Sequence, residues 1–134
     1  MIMDLKDKDK RIFPPLSKSF SYAVQGIIHG LSKERNFKIH IIAAILAICT
    51  SFILKISIVE WLFIIVSIFS VFTLELVNSA IERVVDLVTV EQHPLAKQAK
   101  DLAAGAVFVC AIMSVIIACV IFLPKLAHLF SLYI

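Results

Sequence analysis

Apolar and polar positions divide the chain into one interrupted stripe and three nearly uncharged runs. Between residues 16 and 33, apolar residues recur at helical spacing with polar residues between them, which is typical of an amphipathic helix lying in a membrane interface. Three apolar runs follow, at about 39–54, 59–76 and 102–123, and each predicts a transmembrane helix. The second run should continue into water as far as residue 88. The sequence therefore predicts an all-α integral membrane protein.

The ends of the chain differ from this pattern. Residues 1–14 are polar and charged and lead into a Pro14-Pro15 pair, which predicts a polar tail before a single membrane domain at 15–124. Residues 125–134, after Pro124, are expected to form a C-terminal tail. The composition agrees, because 60% of the 134 residues are hydrophobic, which is more apolar surface than a soluble domain of this size can bury.

The basic residues are distributed unequally between the two sides of the predicted bundle. When the N-terminus and the segment 77–101 share one side, that side holds all of the 13 Lys and Arg residues except Lys55 and Lys125. The positive-inside rule places the more basic side in the cytoplasm. We therefore expect a multi-pass membrane protein with a cytoplasmic N-terminus.

The second predicted span ends in a row of acidic residues. Glu75 is the first charge after the uncharged run 61–74. At helical spacing Glu75, Glu82 and Asp86 point within about 40° of one another, with Asn78 roughly 60° to one side. A carboxylate at the edge of a membrane is costly, so this face is a candidate functional site.

The same region contains groups suited to phosphate chemistry. Glu82, Asp86 and Asp101 offer the hard oxygen ligands that Mg²⁺ prefers, usually one or two carboxylates together with substrate phosphates. Lys97 and Lys100 lie nearby as cations that can offset phosphate charge. The sequence has no Walker motif and no glycine-rich phosphate loop, so side chains and a metal would have to hold a nucleotide.

Two further acids lie at the membrane edge. Glu34 precedes the first span, and Glu75 is the most deeply embedded acid and a candidate base for a lipid hydroxyl. Together the groups suggest phosphoryl transfer from a nucleotide to a lipid. Two other interpretations remain open here: Glu82, Arg83 and Asp86 could be an ordinary solvated helix end, or the chain could be a small proton-coupled transporter that uses Glu75 as its relay. A transporter needs a continuous polar path, whereas the third span offers only Ser114 and two cysteines.

The acidic segment also resembles a known family. The string ELVNSAIERVVD at residues 75–86, followed by His93 and by AKD at 99–101, is similar to the motif of the bacterial prokaryotic-type diacylglycerol kinases. The resemblance covers roughly residues 18–123. It implies a lipid kinase of the bacterial cell membrane that uses ATP and Mg²⁺ and binds no nucleic acid. It also implies a homotrimer with an N-terminal surface helix and three spans per subunit, and active sites shared between subunits.

Two other segments resemble one branch of that family. The strings FSYAVQG at 20–26 and ERNFKIH at 34–40 are similar to the Gram-positive branch, which acts on undecaprenol. His40 stands where the diacylglycerol-specific branch carries an acid. The resemblance therefore implies transfer of the γ-phosphoryl group of MgATP to undecaprenol, with diacylglycerol as the alternative acceptor and phosphatidic acid as its product.

The resemblance also implies a role for individual residues. Glu75 would be the general base, and Asn78 would orient groups at the reacting centre. Glu34 and Glu82 would bind the Mg²⁺ that accompanies ATP. The other positions that match nucleotide contacts, or that support them, are Tyr22, Asp86, Glu91, Gln92, His93, Lys100 and Asp101.

Overall fold

The computed structural model describes residues 15–89 and 91–131, and this part of the chain forms four helices. They are α1 (Leu16–Lys33), α2 (Arg35–Ile53), α3 (Ile58–Val88) and α4 (Pro94–Ser131). The helices α2, α3 and α4 are each long and apolar enough to cross a membrane. The predicted all-α fold, with three spanning helices after an amphipathic helix, is confirmed. The predicted tail at 1–14 lies outside the described residues.

Glu34 separates the first two helices. Its backbone is extended (φ −89°, ψ 123°), and its N–H donates to the Gly30 carbonyl at 3.1 Å, which closes the last turn of α1. The helix α2 therefore begins at Arg35, four residues before the predicted span. Its 19 residues measure about 28 Å, close to the thickness of the hydrocarbon core.

A short turn connects α2 to α3 at the opposite end of the bundle. Lys55 occupies the left-handed region of backbone space (φ 48°). The Ser57 hydroxyl accepts from the Glu60 N–H at 3.3 Å, and the Glu60 carboxylate accepts from the Ser57 N–H at 2.6 Å. This reciprocal capping box satisfies two amide groups that a helix start leaves free, and it fixes where α3 begins.

The C-terminal part of the chain differs from the sequence-based expectation. The helix α4 begins at Pro94, runs through the whole predicted third span and continues past Pro124 to Ser131, where a tail was expected from residue 125. Pro124 lacks an N–H and so removes one helical hydrogen bond, but the residues on either side remain helical. Lys125 contributes to this continuation, because its ammonium lies 3.2 Å from the Glu60 carboxylate of α3. Residues 132–134 lie outside the described residues.

Two contacts set the level of α2 against α3, which run antiparallel. Arg83 donates to the Glu34 carboxylate at 2.6 Å. One turn further along α2, and three turns from Arg83 along α3, Phe37 stacks on Phe72 with ring centroids 5.1 Å apart. The N-terminal end of α2 therefore lies beside the C-terminal half of α3, where the candidate catalytic acids are.

Two ion pairs likewise fix the axial register of α4 relative to α3. Lys100 pairs with Asp86 at one end of the bundle, and Lys125 pairs with Glu60 at the other. Equal steps along the two antiparallel helices from the first pair place residue 111 level with residue 75. This alignment fixes which part of α4 faces the candidate catalytic acid.

The apolar core of one chain is small. Ile56, Ile64 and Ile121 form a buried cluster near the α2–α3 turn, and Phe37 is buried at the other end. Only 17–22% of the most apolar stretch of each spanning helix is buried inside the chain. The remaining apolar surface is suited to lipid or to other membrane helices.

Candidate functional site

Glu75 lies inside the helix bundle. Only 2% of its surface is exposed. The side chain of Asn36, at the start of α2, interacts with the Glu75 carboxyl, and the carboxyls of Glu34 and Glu82 are near enough to act on it electrostatically. The structure thus brings together Glu34, Glu75 and Glu82, of which the first and the last are 48 positions apart in the sequence. Acids concentrated against their mutual repulsion indicate a functional site.

Next to Glu75, two buried polar atoms have no hydrogen-bond partner among the described residues. The Asn78 amide nitrogen donates to the Glu82 carboxylate at 3.2 Å. The amide oxygen of Asn78 and the hydroxyl of Ser79 remain unpaired, although each residue is only 4% exposed. Because an unpaired buried polar atom costs about 1–3 kcal/mol, such atoms need a partner that completes them. A bound substrate group can supply one.

The oxygen atoms at this site fit a hard cation. Carboxylates of Glu34 and Glu82 and the free amide oxygen of Asn78 are the ligand types that Mg²⁺ takes. Within residues 15–89 and 91–131, three or more His, Cys, Asp or Glu side chains do not come together in a geometry that holds a metal by itself. Mg²⁺ usually needs only one or two carboxylates, because substrate phosphates complete its coordination.

An open cleft of about 850 Å³ lies where α3 turns into α4. It begins one helical turn beyond Glu82, so it is continuous with the acidic face of α3. Six of the residues that the sequence assigned to the nucleotide line it, namely Asp86, Glu91, Gln92, His93, Lys100 and Asp101. The sequence-based grouping of these residues therefore corresponds to one cleft.

Two ion pairs hold the lysines of the cleft. Lys100 lies 2.5 Å from the Asp86 carboxylate, and Lys97 lies 2.5 Å from the Asp101 carboxylate. Both pairs are partly exposed to solvent, and such pairs contribute at most about 1 kcal/mol. An incoming polyphosphate can therefore compete for both ammonium groups at little cost.

His93 caps the helix that forms one wall of the cleft. Its ring Nδ1 accepts from the Leu95 N–H at 3.2 Å, and its carbonyl accepts from the Lys97 N–H at 3.1 Å. The first turn of α4 is thereby fixed beside the cleft. The free N–H groups and the positive end of a helix dipole at such a position favour an anionic ligand.

For four side chains the structure differs from the sequence-based assignment. Tyr22 lies on α1 with 58% of its surface exposed, and it does not line the cleft. Arg83, Asn36 and Ser79 were not assigned to the site, yet each contacts or adjoins its acids. For Arg83 and Asn36 a signal was available, since both lie within two positions of an assigned glutamate.

The chain has three apolar spans, a buried carboxylate at their edge and a polar cleft beside it. This arrangement is that of an integral membrane enzyme that acts on one membrane-embedded and one soluble substrate. The comparison with known families identifies which one. The family described as prokaryotic diacylglycerol kinase matches residues 21–122, so the chain belongs to that family. It is a membrane lipid kinase whose substrates are a lipid alcohol and ATP, as the motif in residues 75–101 implied.

Three curated relatives illustrate the range of the family. The chain is 48% identical to the undecaprenol kinase of Bacillus subtilis (strain 168), over 92% of this chain and 100% of that protein. It is 40% identical to a diacylglycerol kinase of Synechocystis, over 89% of this chain and 69% of that protein. It is 31% identical to the diacylglycerol kinase of Escherichia coli (strain K12), over 81% and 89% respectively.

Proposed function

We propose that this lipid kinase transfers the γ-phosphoryl group of MgATP to undecaprenol and so forms undecaprenyl phosphate. The buried Glu75, at the end of an apolar span and beside the polar cleft, is the observation that carries the reaction. The choice of acceptor is supported by the 48% identity to an undecaprenol kinase along that protein's entire length.

Glu75 acts as the base in this proposal. It accepts the proton of the lipid hydroxyl, the hydroxyl oxygen bonds to the γ-phosphorus, and the bond from that phosphorus to the bridging oxygen breaks to release ADP. The unpaired amide oxygen of Asn78 orients a group at the reacting centre. Positioning and charge stabilisation account for most of the catalysis in phosphoryl transfer, so a small helical scaffold suffices.

The cleft at the α3–α4 turn binds ATP in this proposal. Lys100 and the adjacent Lys97 exchange their carboxylate partners for phosphate oxygens. Glu34 and Glu82 hold the Mg²⁺, which neutralises phosphate charge when it is bound. Arg83 is paired with Glu34 at 2.6 Å, so metal binding by Glu34 competes with this ion pair.

The remaining residues of the nucleotide site are Asp86, Glu91, Gln92, His93 and Asp101, all of which line the cleft. Within one chain Tyr22 is exposed on α1 and does not line the cleft. In this proposal it therefore contacts ATP that is bound in the cleft of another subunit. We propose a homotrimer with shared sites, and the wide uncovered apolar surface of the three spans supports such an assembly. The cleft and the N-terminus face the cytoplasm, which supplies ATP.

The substrate proposal is tested by competition between lipids. Purified protein receives labelled ATP together with undecaprenol and dioleoylglycerol at equal mole fraction in the same bilayer. Undecaprenyl phosphate should be the main product. Preferential labelling of dioleoylglycerol would favour the alternative acceptor and would leave the kinase assignment intact. Product formation must also require Mg²⁺, so chelation with excess EDTA should abolish it.

A further inference from the structure

A second cavity lies within the membrane-spanning part of the bundle. It is a groove of about 400 Å³ with its floor on α3 and its walls on α2 and α4, and we refer to it as the span groove. His40 and Ala44 belong to one wall, Ala111 and Ala118 to the other, and Ser67 and Val71 to the floor. Small side chains on both walls keep it open.

The span groove ends directly below the candidate catalytic acid. Ala111 lies level with Glu75 by the alignment of α3 and α4, and Val71 precedes Glu75 by about one helical turn. From this end the groove extends away from Glu75 towards Ala118. On the α1 side the approach to this part of α3 is filled, because Gly30 packs so tightly that an added Cβ would stand 2.7 Å from Leu76. The groove therefore offers a route from the membrane interior towards Glu75.

The surface of the groove suits a hydrocarbon chain. Its two serines, Ser67 and Ser114, donate their hydroxyls to carbonyls of their own helices at 2.8 and 2.9 Å. Neither of these two hydroxyls is free to donate to an ester, and the other polar side chains of the lining are His40 and Thr50, at the two ends of the α2 wall. The groove is one cavity, whereas diacylglycerol carries two acyl chains, each joined to glycerol by an ester group. A polyprenol has one hydrocarbon chain with its hydroxyl at the end.

We propose that the span groove binds the hydroxyl-proximal isoprene units of the acceptor and thereby delivers its hydroxyl to Glu75. This inference rests on the proposed function and adds the site that selects the chain. From His40 to Thr50 the α2 wall is about 15 Å long, and an isoprene unit adds four bonds of about 1.5 Å each, so about two to three units fit. The rest of a longer chain lies in the bilayer.

Chain length is the property to measure. The substrates are geraniol, farnesol, geranylgeraniol and undecaprenol, each presented to the full-length protein in the same detergent micelle. For the unmodified protein, KM should fall from geraniol to farnesol and then change little, because further units extend beyond the groove. The same assay reports the proposed function separately, since phosphorylation of undecaprenol by the unmodified protein does not depend on any groove variant.

Two variants and one control test the position of the chain. Ala118→Leu narrows the groove two turns of α4 beyond Ala111 and one turn before its last lining residue, Phe122, and Ala111→Leu fills the end next to Glu75. Ala118→Leu should raise KM for farnesol, geranylgeraniol and undecaprenol about tenfold, the equivalent of roughly two lost methylene contacts, and should change KM for geraniol least. Ala111→Leu should raise KM for all four alcohols. Cys119→Leu, at the same depth but exposed and outside the lining, should have no effect.

An equal change for all four alcohols with Ala118→Leu, or no change for any, would overturn the proposal. A second measurement does not depend on activity or on variant folding. A diazirine-bearing farnesol, added without ATP, should label the α4 segment 111–122 of the unmodified protein, and excess undecaprenol should compete. If the groove instead seats a helix of another copy, the segment stays unlabelled and Ala118→Cys forms a cross-link between copies in a background that lacks the native cysteines.

Discussion

At the scale of single residues, Glu75 combines near-complete burial with acidic neighbours. It is 2% exposed, and the carboxyls of Glu34 and Glu82 act on it. A side chain selected for stability alone would not be a charge in that position, since a neutral amide of the same shape avoids both the desolvation and the repulsion. The proposed role of Glu75, accepting a proton from the lipid hydroxyl, accounts for this placement.

Glu75→Gln tests this explanation. The substitution keeps the shape of the side chain and removes proton acceptance, so turnover with undecaprenol should fall about 10²-fold or more. The KM for ATP should change little, because the cleft is lined by other residues. Thermal unfolding should occur at an equal or higher temperature, since the substitution relieves repulsion. Turnover close to that of the unmodified protein would show that Glu75 is not the base.

Glu82→Gln separates metal binding from folding. The glutamine oxygen can still accept from the Asn78 amide, as Glu82 does at 3.2 Å, so the free energy of unfolding should change by no more than about 0.5 kcal/mol. The loss of charge should raise the Mg²⁺ concentration needed for half-maximal activity at least tenfold.

The matched control is Glu60→Gln, the same change at the far end of the same helix. Glutamine also fits a capping box, so this variant should retain normal Mg²⁺ dependence. If Glu82→Gln and Glu60→Gln respond alike, Glu82 is an ordinary helix-end acid.

At the scale of elements, the contact of α1 with α3 determines how the amphipathic helix sits beside the site. Gly30 is the buried residue among positions 16–32 of α1, and it faces Leu76, the residue that follows Glu75. Gly26, one turn earlier, has nothing within 4 Å of an added Cβ. The spacing of the two glycines suggests a shared packing motif, but only one of them lies in a helix contact.

Gly30→Val and Gly26→Val should therefore differ. The Leu76 side chain can rotate away from a single methyl group added at Gly30. The branched side chain of valine is larger and should push α1 away from α3. We expect a loss of about 1–3 kcal/mol in stability and a marked loss of activity. Gly26→Val should leave activity within twofold, because no tertiary contact of a described residue is disturbed. Thermal unfolding in detergent and turnover measure both effects, and equal behaviour of the two variants would contradict the packing argument.

Element boundaries also show what a sequence pattern can predict. The apolar runs predicted all three spans, because a membrane requires uninterrupted apolar helices. The continuation of α4 beyond Pro124 was not predicted, since proline usually marks a helix end and the stabilising pair Lys125–Glu60 joins residues 65 positions apart. The partner of Glu34 was missed for the same reason, as Arg83 lies 49 positions away. Local patterns identify the acids, but packing selects their partners.

At the scale of the whole molecule, the four helices give the bundle two chemically different ends. Glu75, the ion pairs of Glu34 and Asp86, and the polar cleft lie at one end. The other end has the short α2–α3 turn with Lys55 and the pair Lys125–Glu60. A reaction between ATP and a lipid requires the first end to face the compartment that contains ATP. The positive-inside rule, applied to the uneven distribution of basic residues, independently predicts the same orientation.

Single cysteines at the two ends of α3 test this orientation. Ile58 and Leu87 are 83% and 87% exposed, and their positions on one helix are about 44 Å apart, more than the hydrocarbon thickness. In a background without the native cysteines, Ile58→Cys and Leu87→Cys should react with a membrane-impermeant maleimide from opposite faces of sealed vesicles. With right-side-out vesicles, Ile58→Cys should be labelled at once and Leu87→Cys only after permeabilisation. Labelling of Leu87→Cys in intact vesicles would place the cleft outside the cell, where ATP is not supplied, and would contradict the proposed topology.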